Sequence, residues 1–144
     1  MTARWELCRD AVSAVVVALT PETDANYLYH DALSDAVLEG ASSRRAFWHD
    51  PPRWTWMQSQ DSTTATLRYE WNLNVILSRG VADIPAFVRS TATESLNIAR
   101  AILLMSPTLG AQQVLVRGAT PTSLGDADEV QMQIALVCEI DEVL

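Results

Sequence analysis

Residues 64–77 read TATLRYEWNLNVIL, in which the odd-numbered side chains are apolar and the even-numbered ones polar, with Ile76 as the exception. A period of two indicates a β-strand that buries one face and exposes the other. At about 3.3 Å per residue such a strand runs roughly 45 Å, whereas a chain of this length has a radius of gyration of roughly 15 Å. The pattern therefore predicts that one end of the strand projects as a long hairpin arm, formed by 53–77.

The predicted partner strand in this arm is 53–59, which carries Trp54 and Trp56 on one face. It is preceded by Pro51 and Pro52, which interrupt the strand because proline has no N–H to donate to the hydrogen-bond ladder. A separate short strand is predicted at 46–49.

Downstream of the arm, a helix is predicted over 83–105, opened by Asp83 and Pro85. Its apolar stripe is expected to face the sheet, and a short strand at 114–117, a polar loop at 118–128 and a second alternating strand at 130–140 follow. The predicted core stripe of the helix consists of Val88, Ala92, Leu96, Ala99 and Leu103, reinforced by Ile98 and Ile102.

The N-terminal segment 3–19 is predicted to form an amphipathic helix whose apolar face includes Trp5, Cys8, Val12, Val15 and Leu19. Residues 21–43 fit either a short helix over 31–39 or an irregular stretch with one edge strand. The expected fold is a single α+β domain, 1–144, with two main helices on one face of a mostly antiparallel mixed sheet.

The composition excludes some classes of function. The chain has 144 residues and a net charge of −8, its ten basic residues are all Arg, and it has no basic cluster of the kind that binds nucleic acid. No apolar run reaches the roughly 20 residues of a membrane helix. The two cysteines, Cys8 and Cys138, lack metal-ligand spacing and are predicted to be buried small hydrophobes in a soluble intracellular protein.

The histidines carry the sequence's only suggestion of catalysis. His30-Asp31 and His49-Asp50 each place an imidazole beside a carboxylate, an arrangement that can orient a ring for acid-base work. Aspartate beside a turn more often caps backbone, and the sequence has no phosphate loop, HExxH or GxSxG motif. We predict no catalytic residue, no metal site and no cofactor.

Tryptophan and arginine indicate a surface for assembly instead. Four of the five tryptophans fall between residues 48 and 71, more than a small core usually houses, and tryptophan is enriched at protein interfaces. Nearby arginines are suited to pairing with carboxylates of a neighbour. The predicted inter-subunit residues are Arg44, Arg45, Trp48, Arg53, Trp54, Trp56 and Arg68.

The order of elements resembles the tail-terminator proteins of long-tailed phages. The resemblance rests on the first helix, the strand TATLRYEWNLNVIL, the helix opened by ADIPAFV, and the closing strand EVQMQIALVCEI. It implies a structural virion protein, assembled in the host cytoplasm, that forms a ring, expected to be a hexamer. The ring would cap the tail tube, contact the tail-tube protein and the head connector, and let DNA pass as a passenger through an acidic lumen.

Two alternatives stay open at the level of sequence. One is another neck, head-completion or tube component with the same sheet. The other is a small α+β enzyme in which His30, Asp31, His49 and Asp50 converge on a pocket, which requires the two histidines to lie close together.

Overall fold

A computed structural model describes residues 4–21, 29–31, 45–59, 63–78, 84–105, 114–123 and 129–143. Two helices pack on one face of an open sheet, as the sequence predicts. The elements in chain order are α1 (Arg4–Val17), β1 (His30–Asp31), β2 (Ala46–His49), β3 (Arg53–Ser59), β4 (Thr64–Ser78), α2 (Ile84–Leu104), β5 (Leu115–Ser123) and β6 (Glu129–Val143).

The sheet is built around β4, the alternating strand on which the fold prediction depends. The strand order is β1-β2-β4-β6-β5, with β1 parallel to β2 and every other pair antiparallel. Both β2 and β3 pair with the same edge of β4, β2 with its C-terminal half and β3 with its N-terminal half. The break at Pro51 and Pro52 separates these two pairings.

The projecting arm is more extensively paired than the sequence suggests. The predicted hairpin exists, since β3 pairs with β4 from Arg53↔Glu70 to Ser59↔Ala65. However, β6 also runs along the whole of β4, from Thr64↔Val143 to Ser78↔Glu129. The arm is therefore the end of a three-stranded sheet, because both long alternating strands extend equally far.

The core lies between the helices and the apolar faces of β4 and β6. Trp5, Cys8, Val12 and Val16 form the inner face of α1, so Val16 takes the place that the sequence assigned to Val15. Trp5 packs edge-to-face on Trp71 with ring centroids 5.8 Å apart. The opposite wall consists of Leu73, Val75, Leu77, Met132, Ile134, Leu136, Cys138 and Ile140.

The two cysteines are buried thiols, as predicted. A hydrogen bond with Cys8, together with burial, raises the pKa of Cys138. Both therefore behave as small neutral core residues.

The strand β5 is longer than its sequence indicates. Residues 118–123 were expected in a loop because they include glycine and proline, yet their backbone pairs with β6 from Gly118↔Ala135 to Ser123↔Val130. A register shift between Val116 and Gly118 bends the strand. Proline is compatible with this position because β5 is an edge strand.

Candidate assembly surface

The arm presents aromatic side chains to solvent. Trp54 and Trp56 pair with Tyr69 and Leu67 of β4, so they lie on the face of the sheet that elsewhere packs against the helices. There they are 58% and 49% exposed, and Met57, at a register shift in β3, is exposed as well. We call Trp54, Trp56 and Met57 the aromatic arm.

Strand β3 is exposed because it has little of the protein around it. Among the described elements it packs substantially only on β4, and none of the described strands pairs with its outer edge. A long edge strand with large apolar side chains is a template for association unless something covers it. Trp54 and Trp56 are therefore accessible to the inter-subunit contact that the sequence predicts for them.

The other face of the arm is charged. The Arg53 Nη2 lies 2.8 Å from Glu70 Oε2, and Arg117 Nη1 lies 3.6 Å from Glu70 Oε1. The hydrogen bond from Arg53 holds the pKa of Glu70 below its ordinary value. Further along, Arg68 pairs with Glu139 across the strands at 3.0 Å. Arg53 is thus a solvent-facing cation, whereas Arg68 is half-buried in a ladder of paired charges.

Arg45 does not belong to this surface. Its side chain has no exposed area, and its Nη2 lies 3.0 Å from Oε1 of Glu94, which is also buried. Its backbone has a φ of 61°, a left-handed conformation that non-glycine residues adopt rarely. The backbone N–H of Arg45 donates to the Ile76 carbonyl at 2.8 Å. The expected contact with a neighbouring subunit is therefore corrected to an ion pair that ties β2 to α2.

Trp48 lies in a different part of the molecule from the aromatic arm. It is half-buried and lines an open cleft of about 710 Å³ together with Trp5, Asp31, His49 and Pro52. At one wall of this cleft the Arg9 guanidinium stacks 5.3 Å from the centre of the Trp5 ring. Arg44 lies outside the described residues.

The cleft does not assemble the histidine site of the enzyme hypothesis. Trp71 Nε1 donates to His49 Nδ1 at 3.0 Å, so the remaining ring proton is on Nε2, 2.9 Å from Ser13 Oγ. Burial lowers the pKa of His49 to about 4. Both ring nitrogens are therefore occupied, and the ring is neutral at physiological pH.

His30 lies away from this ring. It pairs with Ala46, three residues from His49 and hence roughly 10 Å along the strand. Within the described part of the chain, no cluster of His, Cys, Asp and Glu is arranged to hold a metal ion. Asp31, His49 and Asp50 do line the same cleft, but both nitrogens of the His49 ring are held in hydrogen bonds with Trp71 and Ser13 and do not face a substrate.

A second exposed apolar surface lies on α2, on the face that the sequence predicts to be buried. Val88 and Leu96, expected to face the sheet, are 64% and 55% exposed. The buried face is formed by Phe87, Ser90, Thr91, Glu94, Ser95, Ile98 and Ile102. We call Ile84, Val88, Leu96 and Leu103, all exposed, the outer stripe.

The polar residues on the buried face explain this error. Ser90 and Thr91 donate to the Phe87 carbonyl at 3.0 and 2.8 Å, and Glu94 binds Arg45. Hydrogen-bonded polar groups can be buried at little cost, so hydrophobicity alone selects the wrong face. The available signal was the width of the apolar arc, which exceeds what one sheet can cover.

No described helix is long and apolar enough to cross a membrane. No protein-family model matches the sequence, and no curated protein matches it. Among solved structures, the chain is similar to one from the "Virion of native gene transfer agent (GTA) particle", with 14% identity and a TM-score of 0.49. The match covers 77% of this chain and 89% of that chain. A similarity of this degree assigns no function to the present chain.

Proposed function

We propose that this chain is a structural protein of a phage-like virion, and that it forms the ring that terminates the tail tube and joins it to the head connector. The observation that carries the proposal is the aromatic arm. Its two indoles are roughly half exposed on the arm, on the face of the sheet that elsewhere packs against the helices. Large exposed apolar surfaces are uncommon on proteins that remain monomeric.

The order of elements supports the choice of the tail terminator over other assembling proteins. A first helix, a long alternating strand, a second helix and a closing long strand are present in the order on which the resemblance rests. The pairing of β4 with β6 over their whole length, from Thr64 to Ser78, gives the subunit a long and stiff sheet. A rigid extension of this kind can fix the rotation between successive subunits, which a closed ring requires.

The negative net charge of the chain is compatible with a lumen through which DNA passes without binding. The net charge is −8, and the arginines of the arm are matched with carboxylates, Arg53 with Glu70 and Arg68 with Glu139. An arginine paired with a carboxylate attracts phosphate less strongly, because the two opposite charges largely cancel. A ring of such subunits would repel DNA in its lumen.

Electron microscopy of particles made with and without this protein tests the proposal. We expect tails of irregular, excessive length that are not joined to heads when the gene is deleted, and restoration by the wild-type gene. Tails of normal length that are properly joined would refute the proposal. Absent tails would instead indicate a tube component, and normal free tails beside unstable heads a head-completion protein.

The aromatic arm can be tested in the same experiment. Trp54→Ala or Trp56→Ala should fail to restore joined tails, although each variant folds. Thr55→Ala is the matched control, since Thr55 is exposed on the same strand but on the other face. Equal loss with Thr55→Ala, or full activity of both tryptophan variants, would remove the arm from the assembly function.

A further inference from the structure

The cleft beside α1 is a cavity that the proposed function does not use. Its volume of about 710 Å³ is typical of sites that enclose a ligand. Two indoles line it, those of Trp5 from α1 and Trp48 from β2, and the rings of Pro51 and Pro52 complete its apolar part. None of these residues belongs to the aromatic arm, so the cleft is a separate surface.

The cleft carries more negative than positive charge. Three carboxylates line it, those of Asp10, Asp31 and Asp50. Among the described residues of its lining, Arg9 supplies the one guanidinium. His49 adds no positive charge at neutral pH, because burial lowers its pKa to about 4. The charge of the lining therefore favours a cationic ligand.

One wall of the cleft already holds a cation of this chain. The Arg9 guanidinium lies 5.3 Å from the centre of the Trp5 ring, and Arg9 Nη2 lies 3.0 Å from Asp10 Oδ1. A guanidinium suits such a wall because it is planar, stacks on an aromatic face and donates to a carboxylate from its edge. Trp48 and Asp50 supply a second indole and a second carboxylate, and the described part of the chain places no cation within ion-pair distance of Asp50.

The Trp5 indole adds a requirement for a hydrogen-bond acceptor. Trp5 is only 9% exposed, and its Nε1–H has no acceptor among the described residues. A buried donor without an acceptor is costly. A polypeptide segment carries carbonyl oxygens that accept such a bond, whereas a simple amine has none. The cleft therefore favours a cation carried by a polypeptide.

We propose that the cleft binds an arginine side chain of a partner polypeptide. The guanidinium of the partner stacks on the Trp48 indole and pairs with the Asp50 carboxylate, and Asp31 strengthens the negative field. A backbone carbonyl of the same segment accepts the Trp5 N–H. The inference does not depend on the role in tails, because this contact uses no residue of the aromatic arm.

A short arginine peptide tests the proposal on the purified protein. Acetyl-Gly-Arg-Gly-amide is titrated while NMR follows the indole N–H signals of the five tryptophans. The signals of Trp5 and Trp48 should shift and saturate, and those of Trp54 and Trp56, outside the cleft, should stay in place. The citrulline peptide, which has nearly the same shape but no charge, should bind about tenfold more weakly because it forms neither the ion pair nor the cation–π contact.

Two substitutions separate the two contacts with the guanidinium. Asp50→Asn keeps the size of the side chain but removes its charge, and Trp48→Leu removes the ring. Each should weaken binding of the arginine peptide by about tenfold, with a far-ultraviolet circular dichroism spectrum like that of the wild type. Glu129→Gln and Trp54→Leu are the matched controls outside the cleft, and both should bind as the wild type does.

Three results would overturn the inference. The first is equal binding of the arginine and citrulline peptides. The second is a shift of the indoles of the aromatic arm in place of those of the cleft. The third is unchanged binding by Asp50→Asn, which shows that the guanidinium does not pair with this carboxylate.

Discussion

The middle of β4 and its arm end carry the same alternating pattern but have different surroundings. Near the middle of the strand Trp71 is 4% exposed, packs on Trp5 and donates to His49. At the arm, Trp54 of the neighbouring strand lies on the same face of the sheet and is mostly exposed. One tryptophan holds the subunit together, and the other is available to a second molecule.

The difference shows that a residue's role is set by what covers it and not by its type. The arginines give the same lesson, since Arg45 and Arg53 each pair with a glutamate at about the same distance, 3.0 and 2.8 Å. The first pair is fully enclosed and the second lies in water. The enclosed region and the open region should therefore respond differently to the same kind of substitution.

The largest contrast is expected between the two ion pairs. Glu94→Ala leaves the Arg45 charge buried without its carboxylate and should lower the free energy of unfolding by about 3–5 kcal/mol. Glu70→Ala removes a partner of an exposed cation and should cost at most about 1 kcal/mol. Urea denaturation of the two variants measures the difference, and equal losses would contradict the assignment of Arg45 to the core.

The tryptophans should differ by a similar amount. Trp71→Ala removes a buried ring and should cost about 3–5 kcal/mol. Trp54→Ala should cost about 1 kcal/mol or less in the free subunit, while preventing assembly. Thermal unfolding and sedimentation of the same samples separate the two effects. A large loss of stability with Trp54→Ala would place Trp54 in the core of the subunit.

Acid should destabilise the enclosed region through His49. In the unfolded chain this histidine takes up a proton below pH 6.5, whereas burial lowers its folded pKa to about 4. The unfolded state therefore binds more protons between these values, and stability falls as the pH drops from 6.5 to 4. The contribution of His49 is about 3 kcal/mol.

The histidine contribution is measured as a difference between two proteins. His49→Gln retains a donor and an acceptor but does not titrate, so its unfolding free energy should fall less steeply between pH 6.5 and 4. Parallel pH profiles of the variant and the wild type would show that His49 is not the group responsible.

The smallest contrast concerns two opposite sides of the last turn of α2. Ile102→Val removes one methyl group from the core and should cost about 1 kcal/mol. Leu104→Ala removes more carbon from an exposed side chain and should change stability by less than about 0.5 kcal/mol. Chemical denaturation can resolve this order, and the reverse order would indicate that the helix buries its other face.

Much of the fold could be predicted because its strands follow one simple rule. The strict alternation in β4 and β6 fixes which side chains share a face, and the observed register joins the two apolar sets as expected. Ile98 and Ile102 of α2 are buried as predicted, but the prediction is wrong for Val88, Leu96 and Leu103, because a helix with a wide apolar arc can face a sheet in more than one orientation. The orientation is decided by Glu94, whose burial depends on Arg45, 49 residues earlier in the chain.

The sequence likewise predicts one part of the candidate surface and not the rest. The exposure of Trp54 and Trp56 could be predicted because a strand of this length exceeds what a domain of this size can cover. The position of Trp48 in a separate cleft could not, because it depends on how β2 sits beside β4 and α1. The outer stripe was also missed, since exposure and burial have the same hydrophobic signature in a sequence.

By itself, the sequence determined the two helices, the long strands, their order, the two faces of the long strands and the hairpin with its tryptophans. These are local properties, set by period, proline and chain length. The tertiary structure alone decided which face of α2 is buried, that Arg45 is internal and that the His49 ring is fully hydrogen-bonded. Each of these depends on a partner distant in sequence, because the cost of burying a polar group is removed only when the fold brings that partner within hydrogen-bonding distance.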